Sequence, residues 1–346
     1  MSVEVSSFGK IHLIEDVKLF SLKNKKGMEV QVTNLGAVIV RLLVPDRKGK
    51  VKDVVLGFDH AKDYRNNKSF FGAVIGPSAN RIGNATYKID GVEYHAAVND
   101  GPNNLHSDFK LGYHKKLWNA VTGDNFVTFS LEDEDGNMGF PGNKKIQITY
   151  TLTDDNALEL HYHGSSDKNT LLNLTNHTYF NLDGHDAGSI EDHELQLNAS
   201  NYTPVVKGAI PTGEIAPVAG TVMDFTKSKK VGKDINEKFE QLKLTKGYDH
   251  NWVIDGWDGT LREFAVVKAP KSGRVMTCYT TLPGVQFYAG NCIAVQEGKE
   301  GVVYGKRHGL CLETQYYPDS INKKEFPSCV FGGDKEYDSV TVYKFS

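Results

Sequence analysis

The sequence has almost no excess of charge of either sign, because 40 Lys and Arg residues face 43 Asp and Glu residues among 346 positions, for a formal net charge of -3. It contains no long run of like charge, which argues against a nucleic-acid or membrane-surface partner. No apolar stretch approaches the roughly 18 residues of a membrane-spanning helix, and no secretory signal pattern opens the chain. We therefore expect a cytoplasmic protein with a small neutral or weakly charged partner.

Cysteine is scarce, and none of the cysteines has the CxxC spacing of a zinc or redox site. The four are Cys278, Cys292, Cys311 and Cys329. We expect free thiols in packing roles. His161 and His163 lie two residues apart but lack a third ligand nearby, so we expect a solvated strand face there. Glycine-rich phosphate signatures are also missing, which disfavours nucleotide chemistry.

Period-two alternation of apolar and polar residues dominates the chain and predicts half-buried β-strands. The clearest apolar positions are Ile146, Ile148, Tyr150, Leu158, Leu160 and Tyr162. Weaker examples include Val30 and Val32, Leu195 and Leu197, and Val340 and Val342. Strands are therefore expected from one end of the sequence to the other.

Aspartate-glycine pairs separate many of these strands and suit tight turns, because glycine accepts positive φ at little cost. They are Asp90-Gly91, Asp100-Gly101, Asp135-Gly136, Asp183-Gly184, Asp255-Gly256 and Asp258-Gly259. One amphipathic helix is predicted over residues 233–243, where Ile235, Phe239 and Leu242 recur at helical spacing. Without linkers or repeats, residues 1–346 are expected to form one all-β domain, a large antiparallel β-sandwich with few short helices.

Polar residues interrupt the apolar pattern in five stretches, and they must either satisfy one another in the core or line a wet cleft. The stretches are residues 76–82, 103–106, 173–181, 247–251 and 311–315. Arg, Asp, Asn and Gln offer the donor and acceptor geometry that the hydroxyls of a hexose require. Tyr179, Tyr248 and Phe287 are candidates for an apolar surface against the C–H face of the sugar.

Two residues in these stretches are candidates for acid/base chemistry. His177 titrates near neutrality and lies among amides, although a hydrogen-bonded structural histidine would fit the same pattern. Glu313 lies in a strand whose alternation places it opposite Leu312, on the face of Cys311 and Gln315. A carboxylate there is either a solvated outward residue or a general base.

Eight short motifs carry a resemblance to a known family. They are ANRI at 79–82, NLH at 104–106, GFPG at 139–142, LTNHTYFNL at 174–182, IPTGEI at 210–215, GYDHN at 247–251, PGVQFY at 283–288, and LETQ at 312–315 with Pro318 and Asp319. Taken together and in this order, they resemble the galactose mutarotase (aldose 1-epimerase) family over about residues 54–345.

The resemblance implies a twisted, galactose mutarotase-like supersandwich whose open cleft binds a hexose without a cofactor or a metal. It implies that Glu313 takes the proton of the C1 hydroxyl and that His177 protonates the ring oxygen, so that the ring opens and recloses on either face. His106 is implied as the third catalytic residue, beside the ring oxygen or its neighbouring hydroxyl. The implied substrate-binding residues are Asn80, Arg81, Asp249 and Gln286. Glu313 and His177 should then face each other with space for a pyranose between them.

The sequence departs from the family pattern at two places. Gly76 is followed by Pro77 and Ser78, where the family usually has an arginine next, and His106 is followed by Ser107 and Asp108, where it usually has two glycines. Side chains then occupy positions where positive φ is expected, and the Asp108 carboxylate could change the charge of His106.

Two other functions remain open at this stage. A hexose-6-phosphate mutarotase would need extra cations in the cleft, for which Lys115, Lys116 and Arg307 are candidates. A non-catalytic sugar-binding protein would keep the cleft without turnover. Retention of both Glu313 and His177 argues against the second, because binding alone needs neither a proton acceptor nor a proton donor at C1.

Overall fold

A computed structural model describes residues 3–11 and 16–346. Every ladder between two named strands in this part of the chain is antiparallel. The glycines of all six Asp-Gly pairs have positive φ. Asp90 and Gly91 both have positive φ and join Thr86–Ile89 to Val92–His95 as a two-residue hairpin loop, a geometry that matches the twist of the flanking strands. The all-β prediction is confirmed.

One layer of the fold is a nine-stranded sheet. Its strands are, in spatial order, Asn119–Thr122, Phe126–Asp133, Lys144–Leu152, Ala157–Ser166, Tyr337–Phe345, Val275–Thr280, Arg262–Lys268, Glu194–Leu197 and Lys229–Lys230. Leu158, Leu160 and Tyr162 are buried, whereas the residues between them are half-buried. The alternation in the sequence therefore does mark one inward face.

Two five-stranded sheets form the opposing layer. The N-terminal sheet comprises Glu4–Lys10, Asp16–Lys23, Glu29–Thr33, Ile39–Pro45 and Val51–Asp53. The second, called the site sheet below, comprises Ala216–Pro217, Asn201–Thr203, Asp249–Val253, Gly284–Tyr288 and Cys311–Gln315.

Contacts across the core join these layers into an open β-sandwich. The Phe20 ring of the N-terminal sheet packs edge-on against Phe129 of the nine-stranded sheet, with 5.4 Å between ring centroids. The Tyr343 hydroxyl of the nine-stranded sheet donates to the Leu312 carbonyl of the site sheet at 3.1 Å. Burial of the apolar inner faces provides the main driving force for this packing. One face of the site sheet is thereby covered, and its other face is left to form a cleft.

Short elements complete the fold. The remaining strand pairs are Arg81–Ile82 with Asn104–Leu105, Val74–Ile75 with Thr175–Asn176, Thr86–Ile89 with Val92–His95, Thr170–Leu171 with Val330–Phe331, and Gln296–Glu297 with Val303–Tyr304. The helices are Ala61–Tyr64 and Glu240–Thr245, with 3-10 turns at Gly83–Ala85, Tyr113–Lys115, Asn137–Gly139, Lys299–Gly301 and Ser320–Asn322.

The predicted helix over residues 233–243 is largely wrong. Only Glu240–Thr245 is helical, and residues 233–238 form bends and turns. Ile235 is still buried in the core, and Arg307 donates to the Asn236 side chain at 3.0 Å. Tertiary contacts therefore fix this segment in a non-helical conformation despite its helical spacing. No helix in the described part of the chain combines the length and the apolar character needed to cross a membrane.

Candidate active site

A cavity of about 230 Å³ opens over the exposed face of the site sheet, and all seven predicted site residues line it. They are Asn80, Arg81, His106, His177, Asp249, Gln286 and Glu313. The other lining residues are Lys68, Ser69, Phe70, Leu105, Tyr179, Tyr288 and Cys292. Residues that are far apart in the sequence therefore meet in one place, which we call the sugar cavity.

The register of the site sheet explains how its polar residues meet. Asn251 pairs with Gln286, and Gln286 pairs with Glu313, so these side chains form one row across three strands. Residues two apart share a face of a strand. The cavity face therefore carries Asp249, Asn251, Gln286, Tyr288, Cys311, Glu313 and Gln315. The prediction that Glu313 shares a face with Cys311 and Gln315 is confirmed.

His177 is held by its backbone and by aromatic rings. Its amide donates to the Ala73 carbonyl at 2.9 Å, and its own carbonyl accepts from the Gly72 amide at 3.1 Å. Gly72 has a φ of +67°, and a Cβ there would lie 2.1 Å from the Ile39 carbonyl oxygen, so only glycine fits. The His177 ring lies nearly parallel to both Phe70 and Tyr179, with centroid distances of 5.8 and 4.9 Å.

Glu313 and His177 face each other directly. Glu313 Oε1 lies 3.7 Å from His177 Nε2, and both side chains are almost fully buried. This separation is too long for a hydrogen bond and too short for a pyranose to sit between the two groups. The expectation of a sugar between them is therefore wrong, and a bound sugar would have to lie over the pair. The other oxygen, Glu313 Oε2, is buried and has no hydrogen-bond partner.

Burial shifts the pKa values of this pair in opposite directions. It raises the pKa of the Glu313 carboxyl well above its ordinary value, and Asp249 adds to the rise while Arg81 opposes it. Burial also lowers the pKa of His177 to about 4. Both shifts favour uncharged forms, because a dry site disfavours charge. When the pair holds one proton, these shifts favour Glu313 over His177 as its position.

His106 is held as a neutral hydrogen-bond donor. Its Nδ1 accepts from the Asn80 amide at 3.2 Å, and its own amide donates to the Asn80 carbonyl at 2.9 Å. Burial, followed by the neighbouring His177, lowers its pKa well below the ordinary value. Because Nδ1 accepts, the remaining proton is on Nε2.

A buried network of amides connects the other predicted sugar-binding residues. Gln315 Nε2 donates to Asn251 Oδ1 at 3.0 Å and to Gln286 Oε1 at 3.1 Å. Gln315 Oε1 accepts from Asn80 Nδ2 at 3.2 Å. Gln286 Nε2 in turn donates to Asp249 Oδ1 at 2.7 Å. Gln315 does not line the cavity, but it fixes the side chains of Asn251 and Gln286 on the cavity face and that of Asn80, which lines the cavity.

Arg81 and Asp249 line the cavity with a guanidinium and a carboxyl group. Arg81 Nε donates to Asp100 Oδ2 at 2.8 Å, which fixes the plane of the guanidinium. Burial raises the pKa of Asp249, although Arg81 and the hydrogen bond from Gln286 oppose the rise. A guanidinium and a carboxyl in one pocket can bind hydroxyls as donor and acceptor respectively.

The aromatic predictions were only partly right. Tyr179 lines the cavity. Tyr248 and Phe287 instead stack on each other in the core at 5.5 Å, and the Tyr248 hydroxyl donates to the Val222 carbonyl at 3.0 Å. Phe287 lies on the opposite face of its strand from Gln286, so alternation alone excludes it from the cavity. Neither residue can contact a sugar there.

Several cavity residues escaped the sequence analysis. Lys68, Ser69 and Phe70 lie in no motif, and no local signal could have identified them.

All four cysteines are free thiols, as predicted, but two of them lie at the cavity or beside His177. Cys292 is exposed at the cavity, and Cys311 Sγ lies 3.5 Å from His177 Nδ1. Burial raises the pKa of the Cys311 thiol, and its sulfur can accept a hydrogen bond from His177 Nδ1, which leaves Nε2 free to take up a proton.

The candidate phosphate-binding cations and the added carboxylate lie outside the sugar cavity. Arg307 donates to Glu191 Oε1 at 2.7 Å, and neither Lys115 nor Lys116 is among the cavity residues. Asp108 Oδ1 accepts from two loop amides, those of residues 110 and 111, and so closes its own turn. It is not among the groups that shift the pKa of His106.

One group of side chains in the described residues has the spacing of a possible metal site. The ligand atoms of His106, His177 and Glu313 all lie within 4.8 Å of one another. Two imidazoles and one carboxylate could bind a zinc ion. His161 and His163 do not form such a group, because they pair with Asp338 at 2.9 Å and Glu336 at 3.0 Å on a partly exposed strand face. The predicted solvated strand face at these two residues is confirmed.

Comparison with known proteins gives consistent results. A family model described as Aldose 1-epimerase matches residues 18–344. Human galactose mutarotase is 43% identical over 321 residues, covering 92% of this chain and 91% of the human protein. Aldose 1-epimerase from Escherichia coli K12 is 36% identical over 331 residues, covering 95% of each chain. The crystal structure of an aldose epimerase homologue from C. elegans superimposes with a TM-score of 0.87 at 31% identity, covering 95% of this chain and 98% of that one.

Proposed function

The chain belongs to the aldose 1-epimerase family and is an isomerase that interconverts the anomers of a small carbohydrate, and we propose that Glu313 is its general base and His177 its general acid. Such a pair suits the reaction, because ring opening needs one proton accepted and another donated at the same time. Hydrogen bonds from His106 and from the hydroxyl-binding residues would hold the sugar in place. Those residues are Asn80, Arg81, Asp249 and Gln286.

The reactive form of the pair is the carboxylate with the imidazolium. Burial disfavours both charges and so favours the position of the shared proton on Glu313. Transfer of this proton to His177 creates opposite charges 3.7 Å apart, and their attraction offsets part of the cost of burying them. Hydroxyl groups of a bound sugar would stabilise this form further, starting with the unpartnered Glu313 Oε2.

Ring opening then returns the pair to its uncharged form. Glu313 takes the proton of the C1 hydroxyl, and the electron pair of that O–H bond becomes the second bond of the new carbonyl. The bond between C1 and the ring oxygen breaks, and the ring oxygen takes the proton from His177 Nε2. Rotation about C1–C2 presents the other face of the aldehyde. Reclosure by the reverse proton transfers yields the other anomer and restores the starting charges.

The surroundings of the pair favour this sequence. Phe70 and Tyr179 lie nearly parallel to the His177 ring and restrict its rotation. His106 Nε2 carries a proton and can donate to the ring oxygen or to a neighbouring hydroxyl. Groups that are fixed before the sugar binds need no reorganisation during the reaction.

The observation that carries the proposal is the approach of Glu313 Oε1 to His177 Nε2 within one buried cavity. We expect freshly dissolved α-galactose to reach anomeric equilibrium faster with the protein than without it, as followed by polarimetry. Glu313→Gln and His177→Asn should each lower kcat by about 10² to 10⁴, the usual contribution of one positioned acid or base.

The control is His161→Asn, which changes an imidazole on the partly exposed sheet face outside the cavity. Circular dichroism should show all three variants folded. A near-normal rate in either cavity variant would remove that residue from its proposed role. Failure of the wild-type protein to accelerate the reaction would favour a non-catalytic sugar-binding protein.

A further inference from the structure

A second and larger cavity, here called the basic groove, adjoins the sugar cavity. Its volume is about 680 Å³, against about 230 Å³ for the sugar cavity, and the two share Lys68 and Phe70 as lining residues. The described residues that line it are Ile11, Leu35, Arg65, Asn66, Asn67, Lys68, Phe70, Phe109, Lys110, His114 and Lys115. Of these residues, the proposed epimerase mechanism uses only Phe70, which packs against the His177 ring.

The charged side chains among the described lining residues of the groove all have one sign. Arg65, Lys68, Lys110 and Lys115 line it, and no acidic side chain is among its described lining residues. Arg65 Nη1 donates to the Ile11 carbonyl at 2.8 Å, and Lys115 Nζ donates to the Arg65 carbonyl at 2.7 Å. These neutral oxygens satisfy hydrogen bonds but do not balance the charges. The groove therefore attracts anions.

His114 forms part of the groove wall. Its buried ring packs edge-on against Phe70 with 4.9 Å between ring centroids, and burial lowers its pKa to about 3. His114 therefore adds no charge to the groove near neutral pH, and the charge comes from the lysines and the arginine.

The rest of the lining is apolar and aromatic. Phe70 and Phe109 lie 5.6 Å apart in a tilted arrangement, and Phe109 is 40% exposed. Leu35 adds buried aliphatic surface. A planar apolar group could pack on these side chains while a charged substituent reaches the cations.

We propose that the basic groove binds an aromatic organic phosphate, with its ring against Phe109 and its phosphate among Arg65, Lys110 and Lys115. A phosphate group has more acceptor oxygens than a carboxylate group. It can therefore accept hydrogen bonds from one guanidinium and two ammonium groups at once. Side-chain cations can bind a phosphate without a glycine-rich loop. The lack of such loops in the sequence therefore does not argue against phosphate binding in this groove.

The test is titration calorimetry of the full chain with adenosine 5′-monophosphate as the probe, with adenosine and inorganic phosphate as matched parts. We expect saturable binding of the monophosphate that weakens as salt is added, and much weaker binding of either part alone. Lys110→Gln with Lys115→Gln, and separately Phe109→Ala, should each weaken binding about tenfold or more. Lys145→Gln, an exposed lysine on the nine-stranded sheet, is the control and should bind as the wild type does.

Mutarotation of galactose in the same variants separates this proposal from the proposed function. The changed side chains lie outside the sugar cavity, so the rate should persist where phosphate binding is lost. No saturable binding to the wild type, or equal binding by the double variant, would overturn the proposal. Complete displacement by galactose would place the phosphate in the sugar cavity and would overturn it as well.

Discussion

Ser78 and Ser107 are joined by two hydrogen bonds. The Ser107 hydroxyl accepts from the Ser78 amide at 2.9 Å and donates to the Ser78 carbonyl at 2.9 Å. These serines belong to the two segments that the sequence analysis identified as departures from the family pattern, and the Ser107 side chain links the segments through the backbone of Ser78. The bonds tie together the two loops that carry Asn80 and His106.

Replacing Ser107 should loosen this connection. We expect Ser107→Ala to lower the free energy of unfolding by about 2 kcal/mol, because two hydrogen bonds are lost and the Ser78 amide is left buried without a partner. Ser107 has a φ of +62°, so Ser107→Gly avoids a backbone cost of about 1 kcal/mol and should be the more stable variant. Urea unfolding measures both. Wild-type stability in the alanine variant would show that the paired bonds are unimportant.

Gln315 should affect sugar binding without touching the sugar. Gln315→Met keeps the approximate volume but removes the bonds to Asn80, Asn251 and Gln286. We expect KM to rise about tenfold and kcat to change less. A tenfold rise corresponds to a loss of about 1.4 kcal/mol of binding free energy for the sugar. Gln196→Met on the nine-stranded sheet is the control for the same chemical change. A lower kcat at unchanged KM would contradict a role in positioning.

The rate should depend on pH on both sides of a plateau. Catalysis needs exactly one proton on the Glu313–His177 pair; a second proton removes the base, and loss of the only proton removes the acid. Since burial lowers the pKa of His177 to about 4, the acid limb of kcat/KM should lie near that pH. Because burial raises the pKa of Glu313, the alkaline limb lies well above the ordinary carboxyl range. Polarimetry corrected for the uncatalysed reaction tests this, and an acid limb near pH 6.5 would contradict it.

Chelation and added zinc should have opposite consequences. The proposed mechanism uses His106, His177 and Glu313 as proton carriers and donors, so prolonged treatment with a chelator should leave the rate unchanged. Excess Zn²⁺ should inhibit in competition with the sugar, because the ligand atoms of the three residues lie within 4.8 Å of one another. Loss of activity on chelation, with recovery on adding zinc, would refute metal-free catalysis.

The sequence predicted the strands better than it predicted their surroundings. In Tyr337–Phe345 the predicted alternation is present, but Val340 is half-buried, and Tyr337, Ser339, Thr341 and Tyr343 form the fully inward face. Thr341 is tolerated there because its hydroxyl lies 2.6 Å from that of Thr314 across the core. Such a partner comes from a distant strand, so polarity along one strand does not settle which face is covered.

The seven predicted site residues could be found because their motifs were recognisable, whereas Phe70 and Lys68 could not. Phe70 reaches the cavity because the backbone of residues 72–73 pairs with that of His177, about a hundred residues later. The basic groove has the same origin, since it joins residues 65–70 to residues 109–115. Neither segment has an unusual composition.

The sequence by itself determined the periodicity of the strands, the turns at the Asp-Gly pairs, and the placement of Glu313 on one face with Cys311 and Gln315. Backbone geometry fixes each of these properties within a few residues of the chain. Only the tertiary structure decided that Glu313 and His177 lie 3.7 Å apart, and that burial shifts their pKa values in opposite directions. Solvation and electrostatic interaction depend on what surrounds a group in space, and those surroundings come from every layer of the sandwich.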